Sequence, residues 1–219
     1  MTQTTSTFNS IAADCAAHGL AVLAALHAEP DDAPDAETLL LIGNAGPAMW
    51  RAFKQSAEFK LPRHALDTWS RRVIGNLAAR YGAVALFPFG GPPYHPFQRW
   101  ASRSGMFSAS PLGVLVHPSY GPWFAFRGAL AFPDRIDIPA TEPADPCGTC
   151  RDKPCLTACP VDAISAGRAY DAVRCRDHVS RRNNQCFNTG CLARHACPLG
   201  RDFVYEAEQA RFHMDAFAD

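Results

Sequence analysis

Eight of the nine cysteines in this 219-residue chain lie between Cys147 and Cys197. They form two successive sets of four, and each set ends in a Cys-Pro pair. The first set has the spacing C-x2-C-x4-C-x3-C-P and comprises Cys147, Cys150, Cys155 and Cys159. The second comprises Cys175, Cys186, Cys191 and Cys197. Short intervals direct several thiolates into one concave loop, and thiolates are soft metal ligands, so the spacing predicts metal sites.

The spacing favours iron–sulfur clusters over zinc. A bacterial ferredoxin run, C-x2-C-x2-C-x3-C-P, lets three thiolates bind one cubane cluster while the fourth binds its neighbour. Here the middle interval is two residues longer. Zinc also uses four-cysteine sites and C-x2-C knuckles, but its sites rarely combine C-x3-C-P with a second Cys-Pro closure. Disulfides are a third alternative, which a reducing compartment disfavours.

By analogy with the interlocked ferredoxin pattern, each of two [4Fe–4S] clusters is expected to take one ligand from the other set. The first cluster would use Cys147, Cys150, Cys155 and Cys197. The second cluster would use Cys159, Cys175, Cys186 and Cys191. The ninth cysteine, Cys15, lies in an apolar stretch and is expected to be a buried small hydrophobe.

The elements that position these residues are predicted to be mixed α/β up to about residue 132. Apolar residues at i, i+3 and i+4 predict a long helix over 62–79, and a turn-forming segment at 118–122 predicts a hairpin of 112–117 with 123–132. The other expected elements are helices near 11–15, over 47–56 and within 202–217, and strands over 20–26, 38–42 and 84–87.

A change of composition marks the domain boundary. Residues 133–146 contain four prolines among acidic residues, and such a segment is extended and stiff. We therefore expect two domains, 1–139 and 140–219, in an α/β (α+β) chain.

Charge and hydropathy exclude several function classes. The 21 acidic and 21 basic residues give a formal net charge of zero, and two isolated arginine pairs at 71–72 and 181–182 do not form a basic stripe, which argues against a nucleic-acid partner. The longest apolar stretch, 11–28, is too polar to span a bilayer and lacks the basic flank of a secretory signal. We expect a cytoplasmic protein without a membrane partner.

Residues 147–198, with Cys175-Arg-Asp-His-Val-Ser in the middle, resemble the ferredoxin domain of epoxyqueuosine reductases and cobalamin-dependent reductive dehalogenases. In those enzymes the clusters lie beside a cobalamin that a nitroreductase-like domain holds. The resemblance implies a bacterial-ferredoxin-like C-terminal domain with two [4Fe–4S] clusters. It also implies an upstream electron donor, which would be a flavodoxin, a ferredoxin or a reductase.

The N-terminal part carries a second resemblance. This chain contains Leu115-Val-His117-Pro-Ser-Tyr120-Gly-Pro-Trp123-Phe124-Ala-Phe-Arg127-Gly. It is similar to the segment His-Pro-x-x-Gly-x-Trp-Phe-Ala-x-Arg-Gly of the MMACHC family, which processes cobalamin on a modified nitroreductase fold. The similarity extends from about residue 11 to 139 and includes the segment 39–50. It implies a nitroreductase-like, MMACHC-like N-terminal domain that binds cobalamin.

The MMACHC resemblance also implies a set of site residues. The family's tryptophan matching Trp123 lies in the cobalamin pocket, and its arginine matching Arg127 contacts glutathione. The expected cofactor-binding residues are His117, Tyr120, Trp123, Phe124 and Arg127. Arg127 is also the catalytic candidate, as a bidentate donor to an anionic group of a substrate or cofactor.

A corrin needs a broad apolar cleft with aromatic walls. The additional aromatic residues that would line it are Phe87, Phe89, Tyr94, Phe97 and Trp100. Ordinary core packing is the alternative explanation for these rings. Flavin is the alternative cofactor because the parent fold is a flavin fold, although the sequence carries no flavin signature.

The leading hypothesis is an iron–sulfur oxidoreductase whose clusters reduce a bound cobalamin, either to process the cobalamin or to reduce another small molecule. In this hypothesis cluster electrons replace the thiol reductant of the MMACHC family, because the cysteine-rich domain stands where that family has its own C-terminal segment. One alternative is an epoxyqueuosine-reductase-like tRNA modification enzyme. The shortness of the chain and its zero net charge argue against this alternative. The other is a non-catalytic ferredoxin-type electron-transfer protein.

Overall fold

The computed structural model describes residues 4–218, which divide into two compact units. The first unit contains the chain up to Met106 together with Ala125–Pro143, and the second contains Phe107–Phe124 together with the chain from Ala144 onward. The division differs from the expected domains, 1–139 and 140–219, in residues 107–124 and in residues 140–143. Residues 107–124 belong with the cysteine-rich chain, because the backbone of this segment lies directly against residues 199–200.

Within the described residues, the strands are β1 (Leu20–His27), β2 (Thr38–Ala45), β3 (Val84–Leu86), β4 (Ser108–Ala109), β5 (Leu115–Val116) and β6 (Phe124–Phe132). The α-helices are α1 (Thr4–Ala17), α2 (Ala48–Lys54), α3 (Ala65–Tyr81), α4 (Phe97–Arg103), α5 (Pro146–Thr149), α6 (Ala172–Ser180), α7 (Gln185–Thr189), α8 (Leu192–Ala196) and α9 (Ala207–Ala218). No helix in this part of the chain is both long enough and apolar enough to cross a membrane.

A four-stranded sheet in the order β1-β2-β6-β3 organises the first unit. β1 pairs with β2 and β3 pairs with β6, both antiparallel. The apolar run in β2 is fully buried, as expected for a strand covered on both faces. Gly43 in β2 allows β6 to approach, because a Cβ there would lie only 2.1 Å from the carbonyl oxygen of Ala125.

The predicted hairpin of 112–117 with 123–132 is wrong. β6 lies between β2 and β3, and β5 pairs with β4. The turn between β5 and β6 is closed by two backbone hydrogen bonds between His117 and Gly121, of 3.0 and 2.8 Å. Every residue of β6 from Gly128 to Phe132 is buried. A central strand of a larger sheet can be buried on both faces, whereas a strand of a two-stranded ribbon cannot.

The helices of the first unit follow the predicted order, with one addition. α3 buries the predicted apolar face, including Trp69, Val73 and Leu77, but it begins at Ala65 because His64 has a left-handed backbone with φ of 52°. The unpredicted α4 brings Trp100 to Asp32, whose carboxylate accepts the indole N–H at 2.8 Å. Cys15 is fully buried, as predicted, and burial, reinforced by Asp14, raises the pKa of its thiol to about 12.

Asp32 is the charged centre of the first unit's core. Its side chain is almost fully buried and forms ion pairs with Arg103 and Arg99. Burial acts to raise the pKa of this carboxyl, but hydrogen bonds from Arg103, the Glu29 backbone and Trp100 outweigh it and lower the pKa. The paired carboxylate therefore links α4 to the loop after β1.

Among its described residues, the second unit has small buried clusters, and five of the eight clustered cysteines lie in or against two of them. The first surrounds Cys155, Ile164 and Ala193, and the second surrounds Val179, Cys186 and Phe187. The third contains Trp123, Tyr205 and Ala210. α9 packs against α6 and α7, which agrees with the predicted terminal helix. The apolar core of this unit therefore includes several of its thiols.

Candidate metal centres and their surroundings

The eight clustered cysteines line two different cavities in the second unit. A cavity of about 210 Å³ is lined by Cys147, Cys150, Cys155 and Cys197. A smaller cavity of about 20 Å³ is lined by Cys159, Cys175, Cys186 and Cys191. We call these groups the first and second quartets. These two groups coincide with the ligand sets expected from the interlocked ferredoxin pattern, in which Cys159 and Cys197 are exchanged between the two sequence runs. Their role as cluster ligands stays a prediction.

Capped turns position the first quartet. Asp145 caps α5 by accepting the backbone N–H of Gly148 at 2.8 Å, which fixes the turn that carries Cys147. A Cβ at Gly148 would lie 2.2 Å from the Asp145 carboxylate, so a larger residue would displace this cap. In the longer interval between Cys150 and Cys155, Lys153 has a left-handed backbone and is followed by the 3₁₀ turn that carries Cys155. The two additional residues thus lengthen the loop while Cys155 still reaches the cavity.

Two further caps position the second quartet. Asp171 accepts the backbone N–H of Arg174 at 2.9 Å and begins α6, which carries Cys175. Asn184 accepts the backbone N–H of Phe187 at 3.0 Å and begins α7, which carries Cys186. These short helices were not predicted from the sequence. Their N-cap residues, Asp171 and Asn184, are the signal by which they could have been found.

The surroundings of several of the thiols favour their neutral form in the absence of a cation. Burial raises the pKa of a subset of them, and neighbouring cysteines add to this effect. The members of this subset are Cys147, Cys155, Cys175, Cys186 and Cys197. A bound cationic centre would offset this cost, because metal ligation requires thiolates. Over residues 4–218, no three His, Cys, Asp or Glu side chains converge closely enough to bind a single metal ion.

A third cavity of about 240 Å³ adjoins the second quartet. Cys175 and Cys191 line it together with Tyr170, Arg194 and His213, and its remaining walls are apolar. One side of the second quartet therefore faces a space large enough for a small molecule.

His117 organises the loop 117–123. Its ring is 6% exposed, and Nδ1 accepts the backbone N–H groups of Ser119 and Tyr120 at 3.1 and 3.3 Å. The ring also stacks on Tyr120, with centroids 4.3 Å apart. Burial lowers the pKa of His117 to about 4. The imidazole is therefore neutral near pH 7 and shapes the turn.

Trp123 is a core residue of the second unit, with 1% of its surface exposed. The Arg194 guanidinium lies 4.8 Å from the indole centroid, and the Tyr205 ring lies 5.5 Å from it. The indole N–H has no hydrogen-bond acceptor among the described residues. Phe124 packs similarly against Phe107 at 4.8 Å. Trp123 is therefore enclosed in the core, whereas Phe124 is only partly buried.

Arg127 belongs to the first unit, where it binds α3. Nη2 donates to the Asp67 carboxylate at 2.5 Å, and Nε donates to the Ser70 hydroxyl at 3.1 Å. The side chain is 11% exposed, and its guanidinium lies 5.3 Å from the Phe89 ring centroid. The positive charge of Arg127 is therefore already paired. The sequence analysis did not identify Asp67 as its partner, because no local pattern relates residues 60 positions apart.

The other predicted aromatic residues have different environments. Phe97 and Trp100 are buried in the core, whereas Tyr94 is 64% exposed. Phe87 and Phe89 lie under the Arg71 guanidinium, at 5.1 and 5.0 Å. These positions support core packing for Phe97 and Trp100, the alternative that the sequence left open.

Comparison with curated proteins gives partial similarities. No family model matches the chain. It is 53% identical over 34 residues to a cyanocobalamin reductase/alkylcobalamin dealkylase of Gallus gallus, covering 16% of this chain and 14% of that protein. It is 27% identical over 129 residues to an epoxyqueuosine reductase of Vibrio cholerae, covering 55% of this chain and 34% of that protein. A second epoxyqueuosine reductase, from Synechococcus sp., is 35% identical over 77 residues, covering 35% of this chain and 23% of that protein. The matches span about a third or less of each relative.

Comparison with solved structures identifies the fold. The crystal structure of the C. elegans B12-trafficking protein CblC, a human MMACHC homologue, superposes with a TM-score of 0.59 at 15% identity and covers 98% of this chain and 93% of that one. The predicted likeness to the MMACHC fold is therefore confirmed at the level of the fold, while the ferredoxin-like domain stays a prediction. The chain is a mixed α/β protein with the fold of CblC and with sequence similarity to both cobalamin-processing proteins and epoxyqueuosine reductases.

Proposed function

We propose that this chain is an iron–sulfur oxidoreductase that binds two [4Fe–4S] clusters and serves the reduction of a cobalamin. The observation that carries the proposal is the sorting of eight cysteines into two cavities with four thiols each. Four thiols match the four irons of one cubane. The partial similarity to a cyanocobalamin reductase and the CblC fold supports cobalamin as the acceptor.

The first donor set fits a cluster better than a single ion. A mononuclear zinc site requires all four sulfurs about 2.3 Å from one point, whereas each quartet lines a cavity. The first cavity, of about 210 Å³, suits a group larger than one ion. The second, of about 20 Å³, would need its thiols to move outward for a cluster to enter. When bound, the clusters would supply single electrons and the cobalamin would supply a cobalt centre that accepts them.

The chain's own residues would supply ligands, shielding and anion recognition. The apolar cluster around Cys155 and Ala193 would exclude water from the thiolates, which influences the reduction potential. Arg127 is the proposed contact to an anionic group of a cofactor or substrate. Because Asp67 already binds its guanidinium, an anion would have to share or displace this carboxylate. Tyr120, His117 and the rings of Trp123 and Phe124 complete the proposed cofactor set.

Metal analysis of anaerobically reconstituted protein tests the cluster assignment. We expect about eight irons and eight sulfides per chain, which is two cubanes. Cys197→Ala should lose about half of this iron, because it removes one ligand of the first quartet. Cys15→Ala is the matched control, since Cys15 is a buried cysteine outside both quartets, and it should retain all the iron. About two zincs with negligible iron would contradict the proposal.

Titration with hydroxocobalamin tests the acceptor. Reduced, cluster-loaded protein is expected to change the corrin absorption spectrum while the cluster absorption shows oxidation. Protein prepared without clusters should bind the corrin without reducing it, which separates binding from electron transfer. An unchanged corrin spectrum together with no heat of binding would rule out cobalamin. Loaded clusters with that result would instead favour a non-catalytic electron carrier.

An epoxyqueuosine-reductase-like activity is the second candidate. Two of the curated relatives that match this chain carry that name. Transfer RNA from a strain lacking the gene would then contain epoxyqueuosine in place of queuosine, and expression of the chain would restore queuosine. Unchanged queuosine in the deletion strain would exclude this candidate.

A further inference from the structure

The helix α6 has a positively charged outer face. The segment 168–182 contains five arginines and two aspartates, which is a net charge of +3 in a chain whose formal charge is zero. Arg174, Arg176 and Arg181 are exposed. Because a helix has 3.6 residues per turn, Arg174 and Arg181 lie on the same side of it. Residues 181–182, an isolated pair in the sequence, therefore extend a basic patch that begins on the first turn of α6.

Neighbouring acids neutralise this patch only in part. Arg174 forms an ion pair with Asp171 at 3.4 Å, in which the two side chains are 51% and 45% exposed. Arg182 forms a similarly exposed pair with Asp215 at 2.6 Å. Exposed pairs of this kind contribute little free energy, so another anionic surface can compete for the arginines. Among the described residues, none forms an ion pair with Arg181.

An exposed apolar side chain lies within the patch. Val173 is 72% exposed, more than any other large hydrophobic residue that the structure describes. Viewed along the helix axis, it lies between Arg176 on one side and Arg174 on the other. An apolar centre with a charged, solvent-accessible rim is the usual composition of a protein–protein interface.

The opposite face of the same helix carries a thiol of the second quartet. Cys175 packs against the buried cluster of Val179 and Cys186 and lines the cavity of this quartet. An α-helix with its side chains is about 10 Å across, so about the width of one helix separates the patch from the thiols. The loop of the first quartet, 145–159, contains two acids and two bases and has no comparable excess of positive charge.

We propose that the outer face of α6 is the docking surface for a small acidic electron-carrier protein, which delivers single electrons to the second metal site. The carrier loses one electron and the cluster gains it, and no covalent bond changes. Opposite charges steer such a carrier to the helix that covers this site, and the contact is transient and weakened by salt. The inference rests on the proposed two-cluster function and specifies where electrons enter.

The acids within the patch favour a protein over a nucleic acid. Asp171 and Asp177 lie among the arginines, and their carboxylates would repel a continuous phosphate backbone, whose binding depends on neutralising successive phosphates. A protein surface carries its acidic groups at discrete positions, so it can pair with the arginines and avoid the two aspartates.

The test is stopped-flow reduction of anaerobic, cluster-loaded protein by a purified acidic flavodoxin in its hydroquinone form. At low salt, the double variant Arg174→Glu, Arg181→Glu should lower the second-order rate constant by about tenfold or more, because steering by opposite charges is replaced by repulsion. Arg151→Glu is the matched control, since it makes the same change of charge at an exposed arginine in the loop of the first quartet. This control should react at the wild-type rate. An unchanged rate in the double variant, or a loss confined to Arg151→Glu, would overturn the proposal.

Two further measurements use the wild-type protein. Its rate of reduction by the flavodoxin should fall as sodium chloride is added, because salt screens charges between exposed groups, and a rate independent of salt would overturn the proposal. A gel shift with unfractionated transfer RNA should show no binding. Binding that the double variant abolishes would assign the patch to nucleic acid and would also overturn the proposal.

Iron and sulfide are measured first on the same samples. Protein that cannot be loaded with iron refutes the proposed two-cluster function itself. Iron-loaded protein whose reduction by the flavodoxin does not depend on salt or on the α6 arginines refutes only the docking surface.

Discussion

Gly200→Ala tests the close contact between the loop 117–123 and the chain that follows Cys197. Gly200 has φ of +66°, and a Cβ there would lie 2.1 Å from the Tyr120 carbonyl oxygen and 2.3 Å from its carbon. Gly121 faces this contact from the other side, where a Cβ would lie 2.5 Å from the Leu199 oxygen. Two glycines thus allow the two backbones to touch.

The expected loss of stability has two parts. A left-handed backbone costs a residue with a Cβ about 1–2 kcal/mol. Forcing apart a packed contact costs about 1–3 kcal/mol, and here the contact is backbone that cannot rotate away. Gly200→Ala should therefore lower the free energy of unfolding by about 2–5 kcal/mol, the sum of these two parts.

Gly167→Ala is the matched control. Gly167 lies in the same unit at φ of +72°, and among the described residues no atom lies within 4 Å of its added Cβ. This variant should lose only the backbone part, about 1–2 kcal/mol. Urea unfolding followed by tryptophan fluorescence measures both variants. Equal losses would refute the steric argument, because the variants share the backbone term and differ only in the contact.

Two other predictions follow from buried polar groups. Because the pKa of His117 is lowered, the contribution of its neutral ring to stability is complete above about pH 6.5 and is lost as the pH falls toward 4. Between pH 7 and 4 the free energy of unfolding of the wild type should fall by about 3 kcal/mol more than that of His117→Asn, as measured by urea unfolding. Parallel pH profiles for the two proteins would contradict this. Asp32→Asn should lower the free energy of unfolding by about 2–3 kcal/mol, because it weakens charge-assisted hydrogen bonds to Arg103 and Trp100, whereas an unchanged urea midpoint would show that these bonds do not stabilise the fold.

Local patterns predicted the elements whose signals are local. The long amphipathic helix was recognised because Trp69, Val73 and Leu77 repeat on one face. The same reasoning failed for β6, because an apolar run bounded by turns looks alike in a hairpin and in the centre of a sheet. Burial on both faces from Gly128 onward distinguishes them only in three dimensions. The missed α4 had a signal, since Phe97, Trp100 and Ala101 also follow helical spacing.

The candidate metal sites show the same limit. Analogy with the interlocked ferredoxin pattern predicted the same two groups of four cysteines that line the two cavities, and their role as cluster ligands stays a prediction. The analogy could not predict that Tyr170 lies against Gly113, which comes from a distant segment. Nor could it predict that Asp67 binds Arg127. Both pairs depend on packing between parts of the chain that are far apart in sequence.

The exchange of Cys159 and Cys197 between the two sequence runs sets an order for biosynthesis. The second quartet is complete once residue 191 has left the ribosome, whereas the first has to wait for residue 197, although it begins twelve residues earlier. Any metal loaded during translation would therefore meet all four proposed ligands at the second site before the first.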